Sequence, residues 1–84
     1  MPNTQYSDLC DINKLQRNIM IFIGEWVHVK KTPIPRKEII SRMVKDGIKD
    51  FTTVNAINSL LTKGYIRRAE VISNETFYVQ IRTV

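Results

Sequence analysis

The side chains best suited to chemistry in this chain lie in the stretch "TTVNAINSLLTKGYI", which runs from position 52 to position 66. The apolar residues of this stretch recur at helical spacing. The opposite face of the predicted helix carries short polar side chains with a single charge, at Thr52, Asn55, Ser59, Thr62 and Lys63. A face without acids suits an approach to DNA, because phosphates repel carboxylates and base edges require hydrogen-bonding partners.

Each of these residue types has a known way of contacting a base edge. The carboxamide of Asn55 matches the two hydrogen-bonding atoms of adenine, and the methyl group of Ala56 can meet the methyl group of thymine. The hydroxyl groups of Thr52, Ser59 and Thr62 can donate or accept. We therefore predict that these five residues read bases, while Lys63 lies closer to the backbone of the DNA.

Catalytic chemistry has little support in the sequence. The single histidine, His28, lies three residues after Glu25, and such a pair is typical of a polar helix surface. A glycine-rich phosphate loop is absent, and Cys10 is alone, with no cysteine or histidine at the spacing of zinc ligands. We predict a protein that is not an enzyme and that has no metal and no cofactor.

The charge of the chain is positive and unevenly distributed. The 84 residues carry a formal net charge of +5. Residues 1–29 have a net charge of −1, whereas residues 30–84 have 11 basic and 5 acidic side chains, a net charge of +6. Nucleic acid is the commonest anionic partner of a small basic domain. We predict phosphate contacts from Lys31, Arg36, Lys37, Arg42, Lys49, Lys63 and Arg67, and from the free amides that begin the second helix.

The apolar pattern predicts one domain over residues 11–84, preceded by a flexible tail over residues 1–10. Helix 1 is predicted over residues 11–29, with Asp8 or Asp11 as its N-cap. An extended segment at Pro33 and Pro35 should lead into helix 2 over residues 36–46, which Gly47 ends. Its predicted buried side is Ile39, Ile40, Met43 and Val44.

Helix 3 is predicted to follow the turn "GIKDF", with Asp50 or Thr52 as its N-cap and Gly64 at its end. Its predicted buried side is Val54, Ile57, Leu60 and Leu61. Two β-rich runs separated by "SNE" then predict a hairpin. Helices 2 and 3 with a tight turn between them form a helix-turn-helix, and the hairpin beside them forms its wing. The predicted fold is α+β, a winged helix-turn-helix with three helices and a C-terminal β-hairpin.

The runs "TTVNAINSLLTKGYIRR" and "IPRKEIISRMV" resemble the recognition helix, first wing strand and second helix of winged helix-turn-helix repressors such as the MarR, PadR and penicillinase-repressor families. In that register Thr52 matches the threonine that starts their helix, and Ile57 and Leu60 match buried leucines. The resemblance spans roughly residues 32–82. It implies double-stranded DNA as the partner and transcriptional regulation as the function.

A homodimer is expected, because one recognition helix covers a single half-site. Helix 1 is the predicted interface, since Ile21 lies opposite its core stripe and Met20 flanks it. A cytoplasmic location is expected, since the longest apolar run, "IMIFI", is too short for a membrane span and the N-terminus lacks a signal-peptide pattern.

Two alternatives remain open at this point. One is a replication or recombination accessory of a mobile element or virus that binds single-stranded or origin DNA. It would need exposed aromatic side chains, for which Tyr6, Tyr65 and Tyr78 are the candidates. The other is a winged-helix module that binds protein and has no nucleic-acid role.

Overall fold

The computed structural model describes residues 12–81, which form three helices and three strands. The elements are α1 (Lys14–Lys30), β1 (Ile34–Pro35), α2 (Arg36–Lys45), α3 (Asp50–Lys63), β2 (Ile66–Ile72) and β3 (Glu75–Gln80). The predicted α+β fold is confirmed, and a helix-turn-helix with a hairpin wing is compatible with it. One difference is that β1 pairs with β3, which extends the hairpin to a three-stranded antiparallel sheet.

Helix α1 begins at a reciprocal pair of hydrogen bonds. The side-chain oxygen of Asn13 accepts from the backbone N–H of Gln16 at 2.8 Å, and the side-chain oxygen of Gln16 accepts from the backbone N–H of Asn13 at 3.2 Å. The predicted start at residue 11 was therefore wrong, because this capping box places the N-cap at Asn13. The predicted caps Asp8 and Asp11 lie outside the described residues, as do Cys10 and the predicted tail.

Helix α2 begins directly after Pro35, whose fixed φ angle suits the entry of a helix. The residue after its C-cap, Gly47, has a φ of 86°, as predicted for a glycine that ends a helix. Ile39 and Met43 are buried, but Val44 is 48% exposed and the prediction that it belongs to the core was wrong.

Helix α3 ends as predicted at Gly64, which has a φ of 82°. Its N-cap is Lys49, which makes no capping hydrogen bond through its side chain, so neither predicted cap is correct. Thr53 is completely buried in place of the predicted Val54, which is half-buried. The burial of Thr53 is possible because its hydroxyl group donates to the carbonyl oxygen of Lys49 at 3.3 Å.

The hairpin turns at two residues, since Ile72 pairs with Glu75. Ser73 and Asn74 have φ angles of 52° and 69°, and a type I′ turn requires positive values at both positions. The predicted three-residue turn "SNE" is therefore one residue too long, because Glu75 already belongs to β3. The register of β2 shifts between Arg68 and Glu70, which marks a bulge at Ala69.

The core lies where all three helices meet the sheet. It is built from side chains with almost no exposed surface: Ile19, Met20, Ile23, Ile34, Ile39, Met43, Ile57, Leu60, Tyr65, Ile66 and Tyr78. Each fully buried aliphatic side chain contributes about 1.5 to 3 kcal/mol. The sheet thus forms one wall of the core, and α3 is fixed by its buried side while its other side faces solvent.

Candidate nucleic-acid interface

The exposed side of α3 is a single row of residues. Phe51, Asn55, Asn58 and Thr62 are exposed and lie three or four positions apart, which places them on one line along the helix. We call these four residues the α3 ridge. Phe51 is 64% exposed. Asp50 is the one acid of α3 and precedes the ridge in the first turn.

The predicted base-reading residues divide into three groups. Asn55 and Thr62 lie on the ridge. Thr52 and Ser59 are half-buried beside it, on the flank that also carries Lys63. Ala56 is 7% exposed and belongs to the core, so the prediction that its methyl group is available to thymine was wrong. It follows Asn55 by about 100° around the helix axis, which turns it toward the buried side.

Phe51 and Asn58 were missed by the sequence reasoning. The signal for Asn58 was present, since it repeats the residue type of Asn55 three positions later, on the same face. Phe51 was assigned to the turn before the helix, and its hydrophobic character gave no indication that it would be exposed. The most exposed line of α3 is therefore rotated toward Phe51 and Asn58 from the predicted face.

The flank of α3 with Lys63 is directed toward α1. The ammonium group of Lys63 donates to the side-chain oxygen of Gln16 at 3.4 Å. The same oxygen also accepts from the backbone N–H of Asn13 in the cap of α1. Lys63 therefore connects the end of α3 with the beginning of α1.

The amide at the start of α2 already has an anionic partner. A carboxylate oxygen of Glu75, the first residue of β3, accepts from the backbone N–H of Lys37 at 3.1 Å. A carboxylate at this position satisfies one of the free amides and repels phosphate. For the amide of Lys37 the prediction of a phosphate contact is therefore corrected, because the wing itself supplies the acceptor.

Two of the predicted phosphate-binding arginines are held by contacts within the protein. The guanidinium group of Arg36 donates through Nε to the hydroxyl oxygen of Tyr78 at 3.3 Å. The guanidinium carbon of Arg42 lies 5.2 Å from the ring centre of Phe22 in α1, and its Nε lies 4.0 Å from a carboxylate oxygen of Asp46. Arg42 is thus directed toward α1 and an acid.

The other predicted phosphate contacts are exposed. Lys31 directly follows α1, Lys37 is the second residue of α2 and Lys49 directly precedes α3, and all three are exposed. Arg67 and Arg68 are both exposed on β2, and Arg67 donates through Nη1 to the carbonyl oxygen of Arg68 at 3.5 Å. These exposed cations therefore occupy the end of α1, the start of α2, the start of α3 and the base of the wing.

The far end of the wing is apolar and acidic, whereas its base is basic. Val71 and Ile72 are 62% and 53% exposed, and Glu70 beside them is also exposed. From Glu70 to Gln80 the sequence has no lysine or arginine. An apolar and acidic tip is poorly suited to a contact with phosphates.

A groove between α1 and α2 contains one of the predicted dimer residues. Ile21 is 47% exposed and lines this groove, which has a volume of about 280 Å³. Its other walls are Asn18, Phe22, Glu25, Arg42, Met43 and Asp46. Met20 is completely buried in the core, so the prediction that it lies in a dimer interface was wrong.

Glu25 and His28, the pair considered for catalytic chemistry, are both exposed on α1. Within residues 12–81 the structure has no group of three histidine, cysteine or acidic side chains arranged to hold a metal ion. None of the helices in this part of the chain is long and apolar enough to cross a membrane.

Comparisons with known proteins do not add to this geometry. No family model matches the chain, and neither a curated protein nor a solved structure matches it.

Proposed function

We propose that this protein binds double-stranded DNA in a sequence-specific manner and acts as a small transcriptional regulator. The observation that carries the proposal is the α3 ridge, an exposed and uncharged row of three polar residues and one phenylalanine on the second helix of the helix-turn-helix. The ridge belongs to the part of the chain that has a net charge of +6. Such a helix enters the major groove, and the surrounding cations contact phosphates.

The basic residues have separate roles in this proposal. Lys31, Lys37 and Lys49 are exposed around α2 and ahead of the ridge, and they contact the DNA backbone. Arg67 contributes from the base of the wing, and the acidic and apolar tip of the wing stays outside the grooves. The protein has no catalytic role and no cofactor, and it acts in the cytoplasm as a homodimer in which Ile21 lies at the interface.

Binding to single-stranded DNA is the second candidate function. Tyr65 and Tyr78 are 3% and 1% exposed, so two of the three stacking residues that this function requires are buried. Tyr6 lies outside the described residues. Phe51 is the exposed aromatic residue within residues 12–81, and a single ring is a small platform for stacking. These observations favour the duplex.

The test is a comparison of two DNA probes across a salt series. A duplex of 20 random base pairs and a single strand of the same length are titrated by fluorescence anisotropy. We expect tighter binding of the duplex. We also expect log K to fall linearly with log salt concentration, with a slope of about 0.9 for each phosphate contact. Tighter binding of the single strand would support the second candidate, and the absence of binding to either probe would support a protein-binding module.

A further inference from the structure

The residue types of the α3 ridge are selective among base pairs. Guanine is read mostly by arginine or lysine, and cytosine is read by aspartate or glutamate. The ridge contains none of these four types. It contains two asparagines, whose carboxamides match adenine, together with a phenylalanine and a threonine, whose apolar groups can contact the methyl group of thymine.

The two asparagines are available for such contacts. Asn55 and Asn58 are exposed, and neither side chain makes a hydrogen bond to another group within residues 12–81. A carboxamide offers one acceptor and two donors. Adenine presents a donor at N6 and an acceptor at N7 in the major groove, so one carboxamide can bind both atoms.

Phe51 adds an apolar contact at the N-terminal end of the ridge. Its side chain is 64% exposed, although the transfer of a phenylalanine side chain out of water is favourable. The four side chains follow one another at about 5 to 6 Å along the helix. Since base pairs are stacked about 3.4 Å apart, neighbouring ridge residues reach neighbouring or next-neighbouring base pairs.

We propose that the α3 ridge reads a short run of A·T base pairs in the major groove. Asn55 and Asn58 bind adenines, and Phe51 packs against a thymine methyl group. This inference rests on the proposed function, because it requires that α3 enters duplex DNA. It assigns the class of sequence that the helix reads, and it adds Phe51 and Asn58 to the residues that determine specificity.

The first experiment identifies the sequence that the protein prefers. The full chain is incubated with a pool of duplexes that contain 20 random base pairs, and the bound duplexes are sequenced over several rounds. We expect enrichment of a motif with three or four adjacent A·T pairs in each half-site. A motif dominated by G·C pairs would overturn the inference.

The second experiment changes single atoms of the DNA and requires no protein variant. In the enriched duplex, thymine is replaced by uracil, which lacks the methyl group, or adenine is replaced by 7-deazaadenine, which lacks the N7 acceptor. We expect each replacement within the motif to weaken binding of the wild-type protein, by about 5- to 150-fold for a bidentate contact to adenine. Unchanged affinity for both modified duplexes would overturn the inference.

Variants then assign each contact. Phe51→Ala should bind the thymine and uracil duplexes equally, and Asn55→Ala and Asn58→Ala should each be insensitive to 7-deazaadenine at one position of the motif. His28→Ala, which removes an exposed polar side chain from α1, is the control and should keep the sensitivity of the wild type. If the ridge variants keep the sensitivity of the wild type, residues outside the ridge read the motif and the inference is overturned.

The outcomes separate this inference from the proposed function. A motif dominated by G·C pairs would overturn the inference and retain the proposed function. Binding to all duplexes without an enriched motif would overturn both the inference and the sequence specificity of the proposed function. Failure to bind any duplex would overturn both.

Discussion

At the scale of single residues, the N-terminal cap of α1 connects the beginning of α1 to the end of α3. Asn13 and Gln16 satisfy each other's backbone N–H groups, and Gln16 also accepts from Lys63. One side-chain oxygen of Gln16 therefore serves the start of α1 and the end of α3. Gln16 is 7% exposed, so its side-chain oxygen depends on these partners.

Asn13→Ala should destabilise the protein, because the N-cap loses its acceptor for the amide of Gln16. The expected loss is about 1 kcal/mol in the free energy of unfolding, which corresponds to a decrease of roughly 4 to 8 °C in Tm for a domain of this size. Thermal unfolding followed by circular dichroism measures the change. Asn18→Ala, in an exposed position of the same helix, should not lower Tm, because alanine is a better helix former than asparagine. Equal Tm values for Asn13→Ala and the wild type would show that the capping box contributes no stability.

The structure also explains why some residues could be predicted and others could not. Helical spacing correctly assigned Ile57 and Leu60 to the core, because that spacing places aliphatic side chains on one face of the helix, and their burial stabilises the fold. Thr53 was not predictable in this way. Its burial depends on a hydrogen bond to the backbone of Lys49, and its presence in the core rotates the whole exposed face of α3. The error at Ala56 and the omission of Phe51 and Asn58 follow from that rotation.

At the scale of elements, Glu75 connects the wing to the helix-turn-helix. Its carboxylate accepts from the backbone N–H of Lys37, 38 positions earlier in the chain. This contact was not predictable, because the pairing of β1 with β3 that brings the two residues together has no periodic signal in a strand of two residues. The hairpin itself was predictable from its β-rich runs and its turn residues.

Glu75→Ala should strengthen binding to all duplexes. The variant removes a negative charge from the start of α2 and leaves its amide available to a phosphate. If that end of α2 faces DNA, the slope of log K against log salt concentration should become steeper by up to about 0.9. Anisotropy titrations with a random duplex measure both effects.

Glu70→Ala is the matched control, because it removes an exposed acid from the neighbouring strand without altering a helix cap. If Glu75→Ala and Glu70→Ala have the same effect, the change reflects net charge alone. If neither variant differs from the wild type, the start of α2 and the wing lie away from the DNA.

Lys37 and Arg42 should differ from each other in the same assay. Lys37→Ala should flatten the salt slope by about 0.9, since an exposed lysine that contacts a phosphate releases about one counterion. Arg42→Ala should change the slope less, because its guanidinium group lies over Phe22 and close to Asp46. A larger effect for Arg42 would indicate that the side of α2 toward α1 faces the DNA.

At the scale of the whole molecule, the proposed homodimer requires an interface between two copies. One recognition helix covers a half-site, and a single module buries little surface on DNA. Ile21 lies at the groove between α1 and α2, where an apolar residue of a second copy would find Phe22 and Met43. The groove also contains Glu25, Asp46 and Arg42, so a partner surface must satisfy charges of both signs.

Ile21→Glu should convert a dimer to a monomer without unfolding it. The side chain is 47% exposed, so the substitution places a charge in the interface and leaves the core intact. Sedimentation velocity at tens of micromolar should show a monomer, with a melting profile at low concentration like that of the wild type. Val29→Glu, which changes a residue of the same helix that is 71% exposed, is the control and should remain dimeric. A wild-type protein that is monomeric at this concentration, and that binds one copy per DNA site, would contradict the dimer.

The order of the strands also limits how folded copies can aggregate. β3 is paired on both sides, and β1 consists of two buried residues, one of which is a proline without an N–H group. Within the described sheet, β2 alone has an accessible edge, and its bulge at Ala69 bends that edge. Fibril growth by edge pairing requires that every copy joins two neighbours, whereas this sheet can join one. Two copies paired through β2 would consume the accessible edge of each described sheet, so edge pairing between these sheets would end at a dimer.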